Sequence, residues 1–60
     1  MRIYTVPKVG SVWHDNMYTD MSVANFLVGA ITKSGSIYVI SRGIYELDEF
    51  HKTFEPAEGY

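Results

Sequence analysis

The residues best suited to acid–base chemistry are a His-Asp pair near the start of the chain. His14 and Asp15 are adjacent, so Asp15 could orient His14 as a general base, as in nucleophilic triads. The chain has no cysteine, and Ser11 lacks the strand-to-helix context of a nucleophilic serine. We therefore interpret His14-Asp15-Asn16 as a polar loop whose side chains hold a turn, and we expect no catalytic residue.

Metal or phosphate chemistry is the second kind that these residue types could support. His14, Asp15, Glu49 and His51 are candidate ligands, but their spacing matches no ligand motif. Asp48 and Glu49 are adjacent and point to different faces of a helix, which does not suit a glycosidase pair. The glycines form no phosphate-binding loop, since no Gly-Lys-Ser or Gly-Lys-Thr occurs. We expect no metal, no cofactor and no enzymatic activity.

Aromatic residues make up 15% of the 60 residues and offer a different function. They could cap a small core and form hydrogen bonds through their hydroxyl groups. Alternatively, they could line a groove for a protein partner, because Tyr, Trp and Arg are enriched at binding hot spots. A third interpretation is base stacking of single-stranded nucleic acid on Trp13, Tyr38 and Tyr45. A further alternative is a small structural subunit of a larger assembly, which would self-associate through an exposed strand edge.

Charge is unevenly distributed along the chain. Residues 46–60 hold five acidic residues and one lysine, whereas residues 1–45 hold four basic and two acidic residues. The formal net charge of −2 argues against duplex DNA as the main ligand. We predict a protein-contact surface with an acidic rim that steers a basic partner. The predicted contact residues are Trp13, Tyr38, Arg42 and Tyr45, and the rim residues are Glu46, Asp48 and Glu49.

The apolar pattern predicts short strands separated by turns. Residues 22–32 also show helical spacing, but Gly29 and the β-branched residues of this segment favour a strand. In that strand Phe26, Val28 and Ala30 would share one face, and Leu27 and Ile31 the other. The predicted strands are Arg2–Val6, Met17–Thr19, Ser22–Thr32, Ile37–Ser41 and Ile44–Glu46, with a hairpin turn at Lys33–Ser36.

The end of the chain changes to helical periodicity. Leu47, Phe50 and Phe54 recur at the spacing of one helix face, which predicts a core-facing helix over Asp48–Phe54 that stops before Pro56. We expect one domain over residues 1–56 and a frayed tail over residues 57–60. The fold class is mostly β with a short C-terminal helix, either a small Src-homology-3-like barrel or a strongly curved antiparallel sheet.

The length of the chain and of its apolar runs bears on the stability of the protein and on its location in the cell. A domain of this size without disulfides has a marginal core, so we expect cooperative unfolding and weak homodimerisation. The longest apolar run, Phe26–Ile31, is far shorter than the roughly 20 residues that span a bilayer. The N-terminal residues lack the apolar region of a signal peptide, so we expect a cytoplasmic protein without membrane partners.

Three segments carry a resemblance to a known group of proteins. They are Val12–Asp15, the hairpin Phe26–Ile40, and Leu47–Pro56 with its Leu-x-Glu-Phe, a second aromatic four residues later and a proline. The chain thereby resembles very small phage and prophage proteins of unknown function. The resemblance implies a compact barrel of phage-like origin, and a modulator or inhibitor that acts on a host protein in the host cytoplasm. It transfers no catalytic residue to this chain.

Overall fold

The computed structural model describes residues 5–57, which form one antiparallel sheet and one short helix. The strands follow the order β4-β3-β2-β1-β5 across the sheet, so β4 and β5 are its two edges. The protein is therefore mostly β, and its sheet is open rather than closed into a barrel. The elements are β1 (Val12–Asp15), β2 (Asn25–Ile31), β3 (Ile37–Val39), β4 (Gly43–Tyr45), α1 (Leu47–Thr53) and β5 (Phe54–Pro56).

The sheet is strongly curved, because side chains from its two edges meet. In a flat sheet β4 and β5 would lie about 19 Å apart, four strand spacings of about 4.8 Å. Tyr45 on β4 and Phe54 on β5 instead contact each other, with ring centroids 5.2 Å apart. The helix α1 connects these edges. The chain thus curls its sheet around one apolar core without pairing the edge strands.

A β-bulge at Gly29 increases the bend and changes which residues of β2 face the core. Val28 pairs with Val39, but the next register pair is Ala30 with Tyr38, which leaves Gly29 as the additional residue. The predicted alternation therefore holds only before the bulge. Beyond it, Ile31 packs against the core and Ala30 is exposed, the reverse of the predicted facing.

The core is built from both sheet and helix. Phe50 is fully buried and Phe54 is 2% exposed, and Leu47 packs against them, which confirms the predicted core face. The helix begins and ends one residue earlier than predicted, because Phe54 adopts an extended conformation and starts β5. The other buried core residues are Val28, Ile37 and Val39, and the half-buried ones packed against them include Trp13, Phe26, Ile31 and Tyr45.

The predicted strand Met17–Thr19 is wrong. The amide of Met17 donates to Asp15 Oδ1 at 3.0 Å and the amide of Tyr18 donates to the Asp15 carbonyl at 3.1 Å, so the chain turns here. The polar loop predicted at His14-Asp15 is also wrong, because both residues belong to β1 and pair with β2 and β5.

The ends of the described segment differ from the predictions as well. Within the predicted strand Arg2–Val6, residues 2–4 lie outside the described residues, and Thr5 and Val6 are not in a strand. Ala57, the first residue of the predicted tail, is 6% exposed, and its amide donates to the Val12 carbonyl at 3.3 Å. Residues 58–60 of that tail lie outside the described residues.

Candidate functional site

Trp13 belongs to the core side of the sheet. Its ring meets Phe50 edge-on with centroids 4.9 Å apart, and it contacts His51 at 5.7 Å. The indole Nε1 donates to Ser11 Oγ at 2.9 Å, so its one polar group is satisfied locally. Trp13 therefore supports α1 from β1.

Arg42 and Tyr45 lie near each other where the two sheet edges approach. Arg42 donates to Asp15 Oδ2 at 2.7 Å, and its guanidinium stacks over Phe26 at 4.9 Å and Phe54 at 5.4 Å. Tyr45 packs on the same Phe54 ring. The Arg42 side chain is 29% exposed, and its charge is already matched by the buried Asp15 carboxylate.

Tyr38 lies on the opposite face of the sheet. It pairs with Ile44 on β4, both side chains pointing away from the buried Ile37 and Val39. The structure therefore does not bring the four predicted contact residues together: Arg42 and Tyr45 are neighbours, Trp13 lies farther along the core side, and Tyr38 is on the outer face.

Tyr38 has apolar neighbours on the outer side of the sheet that are not among the predicted contact residues. Ile40 donates its amide to the Leu27 carbonyl at 3.0 Å, which places those two residues side by side. Together these residues form what we call the outer apolar face. Its members are Leu27, Tyr38, Ile40 and Ile44, which are 45%, 39%, 43% and 66% exposed.

Gly29 lies within this face. A Cβ atom on Gly29 would be 2.9 Å from Ile40 Cγ1 and 2.9 Å from Tyr38 Cδ2, so both side chains lie against the glycine backbone. The sequence carried a signal for this face: Ile37 to Ile40 are all apolar, which gives a strand without a polar side.

The predicted acidic rim adjoins β4. Glu46, Asp48 and Glu49 are exposed, with Asp48 and Glu49 in the first turn of α1, where the helix dipole favours negative charge. Glu46 precedes the helix and accepts a hydrogen bond from Ser36 Oγ at 3.0 Å. Glu46 directly follows β4, the strand that carries Ile44 of the outer apolar face, and Asp48 and Glu49 follow within the next three residues.

The His14-Asp15 pair does not form a base and its orienting acid. Successive strand residues point to opposite faces, so Asp15 turns inward to Arg42 and His14 turns outward. Among residues 5–57 no cluster of three His, Asp or Glu side chains could hold a metal ion.

Comparison of the chain with protein-family models, with curated proteins and with solved structures finds no match. Within the described residues no helix combines the length and the apolar character needed to cross a bilayer. The outer apolar face, with Glu46 directly after β4, is therefore the candidate functional site on its own geometry.

Proposed function

We propose that this chain is a non-catalytic protein-binding module that contacts its partner through the outer apolar face. The observation that carries the proposal is the continuity of that face across β2, β3 and β4. Tyr38 and Ile44 are register partners, and Leu27 and Ile40 adjoin them across Gly29. Contiguous exposed apolar surface of this kind marks interaction sites on small proteins.

The partner would carry a matching apolar patch with basic residues beside it. Fully burying an aliphatic side chain is worth about 1.5–3 kcal/mol, and the four residues here begin 39–66% exposed. The face thus supplies part of the affinity. The carboxylates of Glu46, Asp48 and Glu49 would attract a basic rim and accelerate the encounter.

Of the four predicted contact residues, Tyr38 remains in the proposed binding surface. The other three, Trp13, Arg42 and Tyr45, have structural roles instead. Trp13, Arg42 and Tyr45 already contact core rings, so using them in binding would disturb packing. Taken with the resemblance to small phage proteins, we propose that the partner is a host protein whose activity the module modulates or inhibits.

The test compares two exposed apolar residues. Ile44 is 66% exposed within the outer apolar face, and Met17 is 85% exposed in the loop between β1 and β2. The wild type, Ile44→Glu and Met17→Glu would each be immobilised and exposed to a nuclease-treated bacterial lysate, with bound proteins identified by mass spectrometry. Thermal melts would verify that both variants fold.

We expect one protein species that wild type and Met17→Glu retain and that Ile44→Glu loses at least about tenfold, which is 1.4 kcal/mol of binding free energy. Adding Tyr38→Ser as a third variant should give the same loss. A captured species that Ile44→Glu and Tyr38→Ser retain fully would contradict the proposed surface. Capture that requires omission of the nuclease would favour single-stranded nucleic acid as the ligand.

A further inference from the structure

His14 is a fully buried titratable group that the proposed binding surface does not use. It lies on the outer side of β1, opposite Asn25 on β2 and Glu55 on β5. The loop of residues 16–24, which joins β1 to β2, covers it. His14 Nε2 lies 2.6 Å from the Tyr18 carbonyl oxygen in that loop.

The groups around His14 are hydrogen-bond acceptors. The Tyr18 carbonyl can only accept, so Nε2 must carry a proton. Asn25 donates Nδ2 to the Met21 carbonyl at 3.1 Å, which leaves its Oδ1 as an acceptor. Asn25 Oδ1 and His14 Nδ1 are both buried without a hydrogen-bond partner. In a neutral ring Nδ1 would be an acceptor that faces another acceptor, Asn25 Oδ1, and neither buried atom would have a donor. A proton on Nδ1 would supply that donor and remove the free-energy cost of the two unsatisfied atoms.

We propose that His14 is held as an imidazolium that fastens the 16–24 loop to the sheet, and that loss of its proton releases the loop. The imidazolium would donate Nε2–H to Tyr18 and Nδ1–H toward Asn25. Together with the Asn25 bond to Met21, these contacts hold the middle of the loop. Other hydrogen bonds hold the ends of the loop. For example, the backbone amide of Asn16 donates to the Thr53 carbonyl at 2.9 Å.

The charged groups that act on His14 favour its protonated form. Three carboxylates act on it: that of Glu55, its register partner on β5, and those of Asp15 on β1 and Asp20 in the loop. The positive charge of His14 in turn helps to lower the pKa of both aspartates. The Tyr18 carbonyl is the main cause that raises the pKa of His14 above its ordinary value of 6.5, against the opposing effect of burial. The Val23 carbonyl, Asn25 and Glu55 raise it further.

The direction of the pH dependence follows from that raised pKa. Because the folded value lies above 6.5, the contribution of His14 to stability is fully present below pH 6.5 and is lost as the pH rises through the folded value. Each unit of difference between the closed-loop and open-loop pKa would change the loop-closing equilibrium by about tenfold. The attachment of the 16–24 loop by protonated His14 is a property of the free chain and does not depend on the proposed function.

The experiment observes the ring nitrogens directly by ¹⁵N NMR. The chain has two histidines, so His51→Gln leaves the signal of His14 alone. We expect protons on both Nδ1 and Nε2 at about pH 5.5, and a titration that Asn25→Asp moves to higher pH because a carboxylate replaces the amide oxygen. A bare Nδ1 at about pH 5.5 would overturn the proposal and indicate a bridging donor such as water.

Amide hydrogen exchange tests the release of the loop. The backbone amide of Tyr18 donates to the Asp15 carbonyl at the end of β1, and that of Val23 donates to the Asp20 carbonyl within the loop. The backbone amide of Gly35 is bonded in the separate β2–β3 turn. After correction for intrinsic rates, protection at Tyr18 and Val23 should fall as His14 loses its proton, while protection at Gly35 stays constant. Equal protection of the loop amides on both sides of the His14 titration would show that the proton does not hold the loop.

Discussion

At the scale of single residues, Asp15 and Arg42 form an ion pair across the core side of the sheet. The Asp15 side chain is 3% exposed and its carboxylate lies 2.7 Å from Arg42 Nη1. The amide of Met17 is the main cause that lowers the pKa of Asp15, and Arg42 lowers it further, while burial opposes both. Asp15 thus remains ionised, and its carboxylate depends on both donors.

We predict that Arg42→Met destabilises the protein by about 3 kcal/mol, because it leaves a buried carboxylate without its cation while keeping the apolar stem over the Phe rings. Urea unfolding at neutral pH measures the change, with Lys33→Met, an exposed cation in the β2–β3 turn, as the control. An equal effect of the two substitutions would contradict the assigned role of Arg42.

The same variant has a pH signature with a fixed sign. The folded pKa of Asp15 is depressed, so its contribution to stability is present above the ordinary value of 3.8 and is lost as the pH falls through the folded value. Arg42→Met raises that folded pKa, so the stability lost by the substitution should be largest at neutral pH and should shrink as the pH falls through the folded pKa of Asp15 in the wild type, where the wild type loses the same contribution.

At the scale of elements, the bulge in β2 determines the shape of the sheet and the packing on its outer side. Gly29 is the additional residue, and Tyr38 and Ile40 lie directly against it. A side chain at this position would compete with both for the same space. The bulge therefore links the curvature of β2 to the arrangement of the outer apolar face.

We predict that Gly29→Val lowers the free energy of unfolding by about 1–3 kcal/mol, because the new side chain overlaps Tyr38 and Ile40. It should also displace the Tyr38 ring, which NMR contacts between Tyr38 and Ile44 would report. Ala30→Val, at the adjacent exposed position, is the matched control and should change stability by less than about 0.5 kcal/mol. Unchanged stability and ring contacts in Gly29→Val would refute the packing described here.

At the scale of the whole molecule, one aromatic residue joins most elements. Phe54 on β5 contacts Tyr45 on β4 at 5.2 Å, Phe50 on α1 at 5.1 Å and Phe26 on β2 at 6.1 Å. These contacts keep the two edges of the open sheet close together. A chain of 60 residues has few other apolar contacts to replace them, so its folding should be cooperative.

We predict that Phe54→Ala costs about 3–5 kcal/mol, comparable with the whole stability of so small a domain, and leaves the chain largely unfolded. Phe50→Ala should behave in the same way, since Phe50 is fully buried. Circular dichroism during urea unfolding measures both, with Tyr18→Ala as a control because that residue is 54% exposed. A wild-type midpoint for Phe54→Ala would mean that the edges are held by other contacts.

Part of the candidate site could be predicted from the sequence. The acidic segment 46–49 and Tyr38 were selected because charge and aromatic character are properties of single residues. Leu27, Ile40 and Ile44 were missed, because their exposure depends on which side of each strand faces the core. Trp13, Arg42 and Tyr45 were selected on the same chemical grounds, yet their ring and ion-pair contacts arise from residues distant in sequence.

The sequence by itself determined the local features: the turn at Gly35 with its positive φ of 90°, the helix that buries Phe50, and three strands. The predicted ranges Ser22–Thr32, Ile37–Ser41 and Ile44–Glu46 overlap β2, β3 and β4, although residues 22–24, 32, 40–41 and 46 lie outside these strands. Each depends on neighbouring residues, through alternation, helical spacing or the conformational freedom of glycine. Only the tertiary structure decided that residues 12–15 and 54–56 form strands, since β1 and β5 are three or four residues long and acquire their hydrogen bonds from each other and from β2. It also decided that His14 and Asp15 are buried on opposite faces of β1. This burial results from the pairing of β1 with β2 and β5, which no local pattern encodes.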